Sequence, residues 1–190
     1  MIIHNPYKDD FRHTPEVDGK GKFKDKFYYD GEFYSLSCSK KEKGLYAVVC
    51  FLFIAAVITV ICLQGMLNSP SSRTVWVVLP YFIQFLTAGY FILGLIDYVL
   101  LKMSSESKSL RMSRPEFDGS IARMKHSMIG QIVVAALVVI CDVVFIVKNR
   151  NIEGISREFV FLGLGVVIIA IAMGFGLFYN KKFSKVVLEK

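Results

Sequence analysis

Little in this sequence is suited to chemistry in solution. Its 190 residues include only three histidines and four cysteines. Cys38, Cys50, Cys62 and Cys141 form no C-x-x-C pair, so a thiol–disulfide oxidoreductase has no support. His4 and His13 flank Asp9 and Asp10 without ligand spacing, and no metal site is expected. Phosphate-binding loops, nucleophile elbows and metalloprotease motifs do not occur. No catalytic residue and no cofactor-binding residue is therefore expected, and the chain reads as non-enzymatic. The opening MIIHNPYKDD has no apolar run, so no cleaved signal peptide is expected. The first span should then act as an uncleaved signal-anchor. The halves show no inverted repeat of the kind transporters carry. Charge is sparse as well, at 21% of residues against about 25% in a soluble domain.

Apolar residues take the vacant share. They make up 54% of the chain, with a mean hydropathy of +0.47, against about 45–50% in soluble domains. They fall in four blocks. Residues 44–67 and 159–179 hold no charge, 75–101 hold only Asp97, and 128–147 hold only Asp142. A hydrocarbon core of about 30 Å needs about 20 helical residues, and all four blocks suffice. Lipid supplies no hydrogen-bond partners, so each block is expected to be a helix. The expected fold is an all-α membrane protein, a four-helix transmembrane bundle with a short cytoplasmic N-terminal β-hairpin.

The basic residues orient the bundle. Of 23 Lys and Arg, nineteen lie in segments 1–43, 102–127 and 180–190, and four lie in the two alternate loops. By the positive-inside rule both termini and the middle loop are cytoplasmic. The net charge of +7 thus reads as inner-face bias toward anionic lipid, with no nucleic-acid partner expected. Tyr46, Tyr98 and Tyr179 are expected at the inner interface, and Trp76 and Phe159 at the outer. Pro80 is expected near the first turn of its span.

Residues 1–22 read as polar and mobile. In Phe27–Tyr34 (FYYDGEFY), Asp30-Gly31 is a type I′ turn signal that would pair Tyr28 with Phe33 and Phe27 with Tyr34. Lys20, Lys22, Lys24 and Lys26 would lie beside anionic lipid. Ser39 with Glu42 forms a capping box and should start the first helix. Ser113, Pro115 and Glu116 read as a second start, with Phe117, Ile121, Met124 and Met128 on an amphipathic cytoplasmic extension of span three. The N-terminal segment reads either as a docking module for a cytoplasmic partner or as a simple juxtamembrane anchor.

Four intramembrane polar residues are the candidate site: Asp97, Asp142, Gln84 and Gln131. Counted from the span ends, Gln131 is expected at the depth of Asp97, and Gln84 near that of Asp142. Asp97 and Asp142 are too far apart in depth to share a proton. Packing glue, an ion or proton pathway through Asp142, and an outer salt bridge from Asp142 to Arg73 or Lys148 all stay open. Span four carries two small-residue stripes, Gly163/Ala170/Gly174 and Gly165/Ala172/Gly176, which let helices approach closely. Two arrangements stay open: both stripes internal, or one meeting a second subunit.

The layout resembles an uncharacterised family of small four-span bacterial membrane proteins. The resemblance rests on FYYDGEFY–SLS–KKEK at 27–43, NSPSSRT leading into VWVVLPY at 68–81, and RPEFDGS at 114–120. It implies a bacterial inner (plasma) membrane and no activity. Two functions follow. The first is an accessory or scaffold subunit working through its spans and cytoplasmic segments, with a membrane-protein partner or a second copy. The second is a small oligomeric transporter or channel using Asp142 and Gln84. An intramembrane enzyme would lack a catalytic constellation.

Overall fold

A computed structural model of the chain describes residues 6–17, 23–104, 109–183 and 185–189. His4, Lys20 and Lys22 lie outside the described residues. Four long helices dominate: α1 (Lys40–Met66), α2 (Val75–Ser104), α3 (Arg114–Lys148) and α4 (Ile155–Lys182). Each packs on its neighbours in chain order, and α4 closes onto α1. Their shared core centres on three rings. Phe53 stacks on Phe175 at 4.2 Å between centroids, and Phe91 meets Phe53 edge-on at 4.9 Å. The outer surface is also apolar, with Phe51 62%, Leu86 72% and Leu177 75% exposed. Helices apolar on every side suit a lipid solvent.

The helix starts follow the sequence. The Ser39 hydroxyl accepts from the Glu42 N–H at 3.2 Å, and the Glu42 carboxylate accepts from the Ser39 N–H at 2.8 Å. Ser113 and Glu116 form the same reciprocal box at the start of α3. Pro80 does not mark the first turn of α2: the helix begins at Val75 and carries the proline inside it.

The expected amphipathic extension of span three is not separate from the bundle. α3 runs unbroken from Arg114, through a π-helical turn at Asp118–Ala122. Ile121, Met124 and Met128 are buried in the main core. Gly94 of α2 makes this possible. A Cβ there would sit 3.0 Å from Met124 Cγ and from the Ser120 carbonyl oxygen, so the two backbones touch. The inner tyrosines are likewise core residues and form no lipid-facing belt. Tyr98 donates to the Lys43 carbonyl at 3.3 Å, and Tyr179 to the Ile121 carbonyl at 3.1 Å.

Strands lie at the end of the bundle where the chain's termini and middle loop meet. β1 (Phe11–Val17) pairs antiparallel with β2 (Phe23–Tyr29). A second sheet has the order β4 (Ser109–Ser113), β3 (Phe33–Ser37), β5 (Val186–Glu189). The expected hairpin about 27–34 is therefore corrected. Tyr28 faces Arg12 and Phe27 faces His13, while Phe33 faces Ser113 and Tyr34 faces Met112. A type I′ turn needs positive φ at both central residues, and neither Asp30 nor Gly31 has it. Gly31 serves a different need: a Cβ there would lie 2.6 Å from the Tyr29 hydroxyl and 2.9 Å from Asp10 Cβ. The Asp30 N–H donates to the Asp10 carbonyl at 2.8 Å, so this dipeptide links two sheets. Residues 11–17, expected to be mobile, form half of the first sheet.

Candidate functional site

The bundle interior holds three polar levels. At one end Arg123 Nη1 donates to Asp97 Oδ2 at 3.0 Å, with both side chains partly open to solvent. Next, Gln131 Nε2 donates to Gln84 Oε1 at 3.3 Å. The Thr87 hydroxyl lies against Gln131 Oε1, and Ser127 donates to the Thr87 carbonyl at 2.6 Å. Among the described residues, Gln84 Nε2 finds no acceptor. Such a buried orphan costs about 1–3 kcal/mol, so the level is fixed by packing more than by its own bonds.

The third level lies at the opposite end and is the most enclosed. Asp142 and Glu158 are both fully buried. Glu158 stands in the first turn of α4 and accepts twice from the short helix Pro70–Arg73. The Ser71 N–H reaches Oε1 at 2.6 Å and the Ser71 hydroxyl reaches Oε2 at 2.7 Å. The hydroxyls of Ser69 and Ser71 are 3.1 Å apart. On the other side the Asp142 side chain meets the Glu158 carboxylate. Gln64, almost fully buried, donates to the Phe161 carbonyl at 3.0 Å one turn along α4. A cavity of about 450 Å³, lined by Ser69, Arg73, Glu153 and Arg157 among others, opens beside this level.

These positions revise the expected depths. Gln131 pairs with Gln84, not with the Asp97 level, and Asp97 pairs with Arg123. The reason is the start of α3. Its first turns pack against the inner half of α2, so Gln131 is several turns deeper than a span beginning at 128 would place it. Gln84 and Asp142 do not form one site, since Asp142 lies eleven residues beyond Gln131, about 16 Å along the helix. Asp142 makes no ion pair with Arg73 or Lys148; its neighbour is Glu158.

Glu158, Ser71, Ser69, Gln64, Arg123 and Thr87 were not legible as site residues. Glu158 sits immediately before an apolar run, where a charge marks the end of a span. A first-turn glutamate followed by 22 uncharged residues is the signal that marks it. The two small-residue stripes separate. Gly165, Ala172 and Gly176 face the bundle, where a Cβ on Gly165 would sit 2.8 Å from Val139 Cγ2. Gly163, Ala170 and Gly174 face outward, and a Cβ on Gly163 or Gly174 would meet nothing within 4 Å. Both stripes are therefore not internal.

Four packed helices of span length, apolar outside and polar only within, decide the class. The chain is a multi-pass integral membrane protein. No protein-family model, curated protein or solved structure matches it. Among the described residues, no group of three or more His, Cys, Asp or Glu side chains is placed to hold a metal ion.

Proposed function

We propose that this protein is a non-enzymatic accessory or scaffold subunit of a bacterial inner membrane, acting through its cytoplasmic strands. The basic-residue bias supports placing both termini and the middle loop in the cytoplasm. The observation that carries the reading is the division of labour between the two sheets. The sheet β4–β3–β5 is rooted in the bundle, with Leu36 and Leu110 in the same core as the helices. The β1–β2 ribbon is a separate pair, with Phe11, Phe27 and Tyr28 39%, 62% and 45% exposed. A lone two-stranded ribbon is marginal in water. Rooted scaffolding beneath a ribbon with open aromatics suits a protein partner at the inner face, beside anionic lipid.

Gentle solubilisation of native membranes followed by intact-complex mass spectrometry tests this. A stoichiometric partner is expected with the wild type and lost with Phe27→Glu/Tyr28→Glu in the full chain. A wild type that runs alone, or a complex indifferent to the double variant, would remove the ribbon as the docking face.

A second reading, a small oligomeric transporter, is favoured by the buried Asp142–Glu158 pair. It predicts ion-coupled flux in proteoliposomes that Asp142→Asn abolishes. No flux from the wild type would sink it.

A further inference from the structure

We propose that Asp142 and Glu158 form a binding site for a single proton, loaded from the end of the bundle opposite the sheets. The hydrogen-bond directions assign it. Both Glu158 oxygens already have a donor in place, one the Ser71 N–H and the other the Ser71 hydroxyl. Asp142 is the reverse. It is fully buried, its side chain meets Glu158, and among the described residues nothing donates to either of its oxygens. Two bare carboxylates in contact inside an apolar bundle repel strongly, and burial disfavours each charge further. One proton removes the repulsion and one of the two buried charges. Carried on Asp142, it donates to Glu158 and leaves a single negative charge near the α4 N-terminus, where the helix dipole favours it.

The surroundings fit a proton better than a metal cation. A hard cation takes six or more oxygen ligands. Here Ser71 takes one acceptor position on each Glu158 oxygen, and the adjoining wall is the apolar cluster Val77, Val138, Phe145 and Phe161, which supplies no further oxygen ligand. The α1 side contributes Gln64; α2 contributes Val77 and Tyr81, whose hydroxyl donates to the Ile61 carbonyl at 3.0 Å; and Cys141 packs on the same cluster from α3. The charged groups nearest this level are Arg73 on the short helix and Glu153 and Arg157 ahead of and within α4, all lining the cavity. Lys148 closes α3. Ser69 belongs to that cavity wall and also lies beside Ser71. Ser69, Ser71, Glu158 and Asp142 therefore make a continuous polar chain from the cavity to the site. Release of the proton leaves two adjacent charges, one of them on the carboxylate that Ser71 holds, so occupancy is coupled to the Pro70–Arg73 loop. The site stands apart from the proposed docking ribbon and does not require transport.

Infrared difference spectroscopy on the full-length protein in nanodiscs, stepped from neutral to alkaline pH, tests the assignment. The wild type is expected to show one protonated carboxylic-acid band that bleaches on the step. That band should be absent from Asp142→Asn, whose amide can donate to Glu158 in place of the proton and should keep the fold. If that variant fails to fold, wild type labelled with a heavy carbon in its aspartate carboxyls should shift the band. A band that survives Asp142→Asn, or that the label leaves unshifted, would overturn the proposal. So would loss of the band on adding sodium or calcium at constant pH, which would make the site a cation site.

Discussion

Ser71 grips Glu158 with two donors, its backbone N–H at 2.6 Å and its hydroxyl at 2.7 Å. The contact joins residues 87 positions apart and fastens the loop between α1 and α2 to the start of α4. Hydrogen bonds to a charged group contribute about 1.5–3 kcal/mol each, and a buried acceptor left unmet adds to the loss. Ser71→Ala keeps the backbone donor and removes the hydroxyl. It is expected to lower unfolding stability in mixed micelles by about 1.5–3 kcal/mol. A change within error would mean that the loop does not hold Glu158.

Span four separates two glycine substitutions that look alike in sequence. Gly165→Ala places a Cβ 2.8 Å from Val139 Cγ2, while Gly163→Ala meets open space. Overpacking costs about 1–3 kcal/mol, so the first should destabilise by that amount and the second should be neutral. Thermal unfolding of both variants, read side by side, checks the assignment of the inner and outer stripes.

The Asp97–Arg123 pair is partly open, with side chains 43% and 27% exposed. Such pairs contribute about 0–1 kcal/mol. Asp97→Asn should therefore barely move stability, while Asp142→Ala should cost several-fold more by emptying a buried site beside a charge. Equal costs would contradict the placement of the two aspartates.

Burial pushes the Cys38 thiol up from its ordinary value, with the Lys43 ammonium opposing and Glu42 reinforcing the shift. Thiolate is the reactive form. Cys38 should therefore resist iodoacetamide at neutral pH in the folded protein and react readily once the chain is unfolded in detergent. Fast labelling of the native protein would show that the segment joining β3 to α1 is open.

The sequence made the helices plain because their signal is local: length, absence of charge, and two capping boxes at Ser39 and Ser113. Depth was not local. The level of Gln131 depends on how α3 slides along α2, and that is set by Gly94 meeting Ser120 and Met124. Strand pairing was also non-local. Asp30-Gly31 carries a strong hairpin pattern, yet Leu36 reaches the bundle core only when β3 pairs with β4 and β5. Glu158 lies just outside the uncharged block 159–179, where its charge marks a span end. Its Ser71 partner, far back in the chain, is what lets a carboxylate enter.

Strands from the N-terminal segment, the middle loop and the C-terminal tail form one sheet, and the proposed topology puts that sheet in the cytoplasm. Within it Ser35 faces Val187 across β3 and β5. Labelling of Val187→Cys with a membrane-impermeant maleimide, with the four native cysteines replaced by alanine, tests this most directly. Spheroplasts should show no labelling while intact and full labelling after permeabilisation, with Ser35→Cys behaving the same way. Labelling of either position in intact spheroplasts would contradict the account.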